Sequence, residues 1–178
     1  MFTVKLEDIS EEGLNLNWQE SRDSIMAYVG QLSQIDFEFE SPLQGEARIF
    51  RTGQSVVVQG TLRTVLRLQC VRCLREFSSP ISSTFDLTLF PMKGDGSEEE
   101  IELKEDDMES GFFEGGEIRL SELACEQIFL DMPAQPLCEE ECRGLCPVCG
   151  KDLNLEPCQC QRDERESGFT ALKKLKLS

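Results

Sequence analysis

Eight of the nine cysteines fall into four close pairs, and this pattern constrains the chain more than any other feature. Cys70 and Cys73 sit in "LQCVRCL", Cys138 and Cys142 in "PLCEEEC", Cys146 and Cys149 in "CPVCG", and Cys158 and Cys160 in "CQC". A short turn carrying two thiols aims both sulfurs at one point, which is how proteins assemble tetrahedral Zn²⁺ sites. Eight such ligands make two closed sites, so the expected cofactor is zinc, two ions. The segment "CPVCG" is the most specific signal, because Pro147 and Gly150 stiffen a turn that would otherwise be costly to hold around a metal.

Two groupings satisfy the count. The nearest partner of "CPVCG" is "CQC", which assigns Cys146, Cys149, Cys158 and Cys160 to one local site and, by elimination, Cys70, Cys73, Cys138 and Cys142 to another. The second site then closes a loop of 64 residues between Cys73 and Cys138. The alternative places 138, 142, 146 and 149 together and 70, 73, 158 and 160 across the chain; spacing alone leaves both open, and the first is the working expectation. A redox dithiol at "CVRC" is disfavoured, since a thioredoxin-like motif opens a helix whereas apolar alternation continues here on both sides, as in a hairpin. Iron–sulfur spacings of the ferredoxin type are not matched. Cys125 is left over and reads as an inert core thiol on an apolar helix.

Around these pairs the chain reads as α+β: an antiparallel β meander with a few short helices and a C-terminal cysteine-rich zinc module. "EARIF", "SVVVQG", "TLRTVLRLQ" and "FDLTLF" are runs of β-branched and aromatic residues punctuated by Gly, Ser and Pro. Leu62, Leu66 and Leu68 share one face, and Arg63, Val65 and Arg67 the other, which predicts an arginine face on the sheet. "FTVKLEDI" suggests a strand, and Ile25, Met26, Val29 and Leu32 stand at helical spacing. "LSELACEQIFLDMP" reads as a helix with Ser121 as N-cap and Leu120, Leu123, Ala124, Ile128 and Asp131 along one side. These elements divide into a domain over 1–135, containing an acidic loop at 94–116, and a zinc-binding module over 136–178 with a basic amphipathic tail.

Charge narrows the partners. The chain holds 18 basic and 34 acidic side chains, a formal balance of −16, which opposes nonspecific nucleic-acid binding and favours a basic partner. Nine carboxylates between Asp95 and Glu109 face the single Lys104, while six arginines between Glu46 and Phe77 face only Glu46 and Glu76. Any RNA contact must therefore be local, with Arg63, Arg67, Arg72 and Arg75 as the candidates. There is no histidine, so neither a Cys/His nor a Ser/His pair can form, and four-thiolate sites leave no position for water; the chain reads as noncatalytic. No signal-length apolar stretch occupies the first 25 residues and none approaches a membrane span, so the expected location is the cytoplasm, with no membrane partner and no small-molecule substrate.

"CVRCL", "DMPAQPLCEEEC", "GLCPVCGKDLN" with the later "CQC", and "FTALKKLK" resemble the YceD proteins, the large ribosomal RNA subunit accumulation family. The resemblance implies a ribosome biogenesis factor needed for synthesis, processing or stability of 23S ribosomal RNA, with precursor rRNA or a basic large-subunit ribosomal protein as partner. It also implies the first cysteine grouping, because some members lack the tail set yet keep the CxxC pair with metal-capable residues at the places of Cys138 and Cys142. No catalytic residues carry over. Two rival readings are an rRNA maturation enzyme and a zinc-ribbon adaptor in transcription.

Overall fold

A computed structural model of the chain describes residues 1–32, 37–92 and 110–160. Most of the acidic run and the basic tail, 161–178, lie outside the described residues. Period-two alternation builds the sheet. β4 (Leu43–Thr52), β5 (Ser55–Gln69) and β6 (Glu76–Pro91) form a continuous antiparallel meander, with β2 (Leu14–Glu20) on the β4 side and β7 (Ser110–Phe113) parallel to β6 on the other. The short β3 (Glu38–Phe39) continues the sheet beside β5 where β4 has ended. β1 (Val4–Lys5) and β8 (Glu117–Ile118) pair separately. The helices are α1 (Arg22–Leu32) and α2 (Leu120–Asp131).

This is the α+β architecture expected, with three differences of detail. "SVVVQG" and "TLRTVLRLQ" are one strand, because Gly60 lies flat in β5 opposite Ala47 and Phe85 rather than in a turn. The turn falls at Gly53, whose φ of +65 suits glycine, between Thr52 and its partner Ser55. The expected strand in "FTVKLEDI" shrinks to Val4–Lys5, followed by a 3-10 turn, while "LNLNWQE" makes the longer strand β2. Within the span read as an acidic loop, 110–113 is strand β7, so irregular backbone does not run through to 116.

Ser121 is not an N-cap. Arg119 stands in that position without a side-chain capping bond, and Ser121 is buried inside the first turn of α2. Its hydroxyl donates to Glu20, and the Phe2 amide donates to both Ser121 Oγ and Glu20. A buried carboxylate needs such donors, and this need overrides the capping preference. The buried stripe of α2 accordingly runs through Leu120, Ser121, Ala124, Cys125 and Ile128, with Leu123 half-buried and Asp131 exposed.

One core unites the inner sheet face with both helices. It takes in Ile49, Val58, Leu62, Leu66 and Leu89 from the sheet, Ile25 and Val29 from α1, and Ala124 and Ile128 from α2. Alternation in β5 is clean: Leu62, Thr64, Leu66 and Leu68 are buried while Arg63 and Arg67 are exposed. Among the described residues no helix is long and apolar enough to cross a membrane. A Cβ on Gly60 would lie 2.6 Å from the Glu46 carbonyl oxygen and 2.7 Å from the Phe85 ring, so two paired strands would have to part. Gly60→Ala should therefore cost about 1–3 kcal/mol, read as a lower urea midpoint; an unchanged midpoint would contradict this packing.

Candidate metal centres

The tip of the β5–β6 hairpin is the turn Cys70–Arg75. The Cys70 amide donates to the Arg75 carbonyl, and the Leu74 amide donates back to the Cys70 carbonyl. The same two bonds recur at "CPVCG", from the Cys146 amide to Lys151 and from the Gly150 amide to Cys146. Both turns end in a left-handed residue, Leu74 at φ +60 and Gly150 at φ +72. Glycine takes that conformation freely, whereas an L side chain pays roughly 1–2 kcal/mol there. The two knuckles are thus one backbone design carried by different residues.

The described cysteines gather into two groups of four, each with sulfurs within 4.8 Å of one another: Cys70, Cys73, Cys138 and Cys142, and Cys146, Cys149, Cys158 and Cys160. The mixed grouping weighed above has no counterpart among the described residues. The sulfurs of Cys70 and Cys142 stand 3.8 Å apart, and those of Cys73 and Cys138 3.6 Å. A tetrahedron of sulfurs about 2.3 Å from a central Zn²⁺ has edges of about 3.8 Å. Disulfide bonding would need about 2.05 Å, and all nine cysteines are free. The donor set and its spacing fit a tetrahedral cation, and each group could hold a metal ion.

Backbone bonds join the first group across the chain. The Val71 amide donates to Pro136, the Leu145 amide to Arg72, and Arg72 Nη1 to the carbonyls of Cys142 and Glu140. Gly144, at φ +72, lies where a Cβ would come 2.8 Å from the Arg72 carbonyl oxygen, so only glycine allows this approach. Two side chains reach the sulfurs themselves: Arg75 Nη2 donates to Cys138 Sγ at 3.3 Å and Asn154 Nδ2 to Cys142 Sγ at 3.4 Å. Such outer donors orient and stabilise thiolates. Asn154 was not singled out from sequence. Its position is set by Asp152, which accepts from both its amide and its side chain, and these contacts leave no spacing signature.

The thiols respond to this crowding. Burial raises Cys70, but amides of Cys138, Cys73 and Arg72 outweigh it and lower the thiol to about 6. At Cys73 the Arg75 amide pulls downward, yet burial and the neighbouring Cys138, Cys70 and Cys142 push it up to about 12. The second group repeats the split. Amides of Cys149 and Val148 lower Cys146 to about 6, while Cys149 and burial push Cys160 to about 12. Four thiolates so close together cannot all ionise without a cation between them. Cys125 is a different case: burial first, then Glu20, Glu126 and Glu122, push it to about 12 with no partner thiol.

The candidate RNA contacts are more dispersed. Arg63, Arg67, Arg72 and Arg75 are all exposed. Arg67 pairs with Glu40 at 3.0 Å and Glu38 at 4.0 Å, Arg75 with Glu139 at 3.4 Å, and Arg72 braces the knuckle as described. On the open sheet face Arg48, Arg63 and Arg67 are interleaved with Glu46, Glu76 and Asp86 among amides and hydroxyls. The run of arginines in sequence becomes a charge-balanced surface.

The family model described as large ribosomal RNA subunit accumulation protein YceD matches residues 58–176. Similar proteins include the chloroplastic large ribosomal RNA subunit accumulation protein YCED homolog 1 of Arabidopsis thaliana, 24% identical over 98% of this chain and 61% of that protein. An uncharacterized protein of Mycobacterium leprae is 28% identical over 74% of this chain and 58% of its own length, and one of Mycobacterium bovis 30% identical over 72% and 55%. The chain spans about six-tenths of the length of the first of these relatives and less of the other two. No solved structure matches.

Native mass spectrometry of the chain loaded with zinc should show two bound ions. Cys70→Ser with Cys73→Ser should remove one and lower the thermal midpoint by several degrees; loss of both ions, or of neither, would contradict the partition. Alkylation at pH 8 after chelation should label the eight paired cysteines and spare Cys125 while the sheet stays folded, because the buried thiol does not ionise there. Labelling of Cys125 at the rate of the others would refute its burial.

Proposed function

The chain belongs to the YceD family of large ribosomal RNA subunit accumulation proteins, and on that premise we propose that it is a noncatalytic, zinc-binding ribosome biogenesis factor required for accumulation of 23S rRNA. The observation that carries this reading is the pair of four-sulfur cages. Each cage fills all four positions of a tetrahedral ion with protein ligands, leaving none for a water or a substrate, which is the mark of structural rather than catalytic zinc. Zinc is the metal assigned because thiolates alone supply the ligands and the tetrahedral edges match. Residues 136–178 act as the metal-binding module. Nine free thiols suit a reducing compartment, and the cytoplasm is the location assigned.

The direct partner in this reading is precursor rRNA or a basic large-subunit ribosomal protein, and the charges favour the protein. A formal balance of −16 repels phosphate, and the open sheet face offers no net positive field to overcome it. Of the four arginine candidates, Arg63 alone has no salt bridge or side-chain hydrogen bond recorded among the described residues, so a phosphate contact would begin there.

Deleting the gene should lower 23S relative to 16S rRNA. Wild-type chain should restore the ratio, and Cys70→Ser with Cys73→Ser should not; a ratio unmoved by deletion would overturn the reading, as would metal-dependent trimming of precursor rRNA by the purified chain. If RNA is held directly, Arg63→Glu with Arg67→Glu should weaken retention at least tenfold and flatten its salt slope by about 2. Unchanged retention would remove these arginines from the RNA contact.

A further inference from the structure

Beside the first metal centre lies an open groove of about 1220 Å³ between the end of β5, the knuckle and the C-terminal end of α2. Its volume exceeds that of small-molecule pockets, about 300–1,000 Å³, and its shape suits a length of polypeptide. Phe37, Leu68, Val71, Leu74, Phe129 and Met132 supply the apolar lining. Val71 and Leu74 are 53% and 55% exposed, although they flank the buried thiols of the knuckle.

Leu74 is the informative residue. It occupies the left-handed position that the second knuckle gives to Gly150, and among the non-glycine residues described it is the one with positive φ. Its side chain is half in solvent, so burial within the chain does not offset that strain. Strain of this kind, held at a surface, points to a role for the side chain outside the fold. What it faces is a groove with an acidic rim: Glu38 and Glu76 line it, and the one cation there, Arg67, is already engaged by Glu38 and Glu40.

From this juxtaposition we propose that the groove receives an apolar segment of a partner protein flanked by basic residues, with Leu74 as the anchoring contact. Apolar side chains of the segment cover Val71, Leu74 and Phe129, and its lysines or arginines meet Glu38 and Glu76. The acidic balance of the whole chain steers such a partner toward it. The inference rests on the noncatalytic reading above and gives its protein partner a place and a chemistry.

The test is fluorescence anisotropy with the full zinc-loaded chain and a short labelled peptide alternating leucine and lysine, set against the same peptide with glutamate for lysine. The lysine peptide should bind and the glutamate peptide should not. Leu74→Gly should weaken binding at least tenfold while metal content is kept and the denaturation midpoint stays at or above wild type, since glycine relieves the strained turn. Glu38→Lys with Glu76→Lys should weaken it comparably. Wild-type affinity in Leu74→Gly, or equal binding of both peptides, would overturn the proposal. Two other occupants would overturn it as well: a second copy, if Leu74→Gly turns a dimer into a monomer in sedimentation, or the chain's own tail, if removing residues 161–178 raises affinity tenfold. The assay contains no RNA, so an rRNA ratio unmoved by gene deletion would sink the functional reading and leave the groove result standing.

Discussion

The convergence of Cys70 and Cys73 with Cys138 and Cys142 is the constraint on which the C-terminal half depends. With 64 residues between Cys73 and Cys138, closing that loop costs about 3–4 kcal/mol in chain entropy. The contacts that would reward closure are few: the bonds from Val71 to Pro136 and Leu145 to Arg72, the Arg72 brace, and a small buried cluster of Cys70, Cys73 and Cys142 with Leu137 and Leu145 packed against it. Hydrogen bonds of this kind contribute about 1 kcal/mol each, so they barely balance the closure. A structural zinc, about 10–16 kcal/mol in small metal-folded peptides, changes that comparison outright.

The sheet is what makes the early pair usable. β5 and β6 remain in register from Val56 opposite Leu89 to Gln69 opposite Glu76, and this long ladder carries the knuckle beyond the point where β4 stops. One face of the ladder is pinned to the helices by the core, so the knuckle's direction is fixed by packing far from the sulfurs. The projecting tip leaves two things exposed: a charge-balanced outer face and an apolar groove beside the thiols. Both are surfaces for contact rather than for chemistry, which agrees with cages closed by four sulfurs.

The sheet was legible because its signal is local. Leu62, Leu66 and Leu68 alternating with Arg63 and Arg67 could be read directly, and the two-residue turn at Gly53 sits where glycine was needed. The α2 helix was legible for the same reason, but its first turn was misread. Ser121 carries a capping preference, and what overrides it is the buried carboxylate of Glu20, 101 residues away in sequence. β2 could have been found from the alternation of Leu14, Leu16 and Trp18. The arginine run misled in another way: sequence counts charge along the chain, whereas Glu46 and Asp86 reach the same face through pairing with neighbouring strands. Around the thiols the pairs themselves were visible, while Asn154 and Gly144 act through tertiary approach and leave no periodic trace.

The most direct test is cadmium-113 NMR of the chain with both ions replaced by ¹¹³Cd²⁺, tracing scalar couplings from each metal signal to cysteine β protons. The account predicts two signals in the four-sulfur range, one coupled to Cys70, Cys73, Cys138 and Cys142 and the other to Cys146, Cys149, Cys158 and Cys160. A signal coupled to Cys138, Cys142, Cys146 and Cys149 together would contradict it.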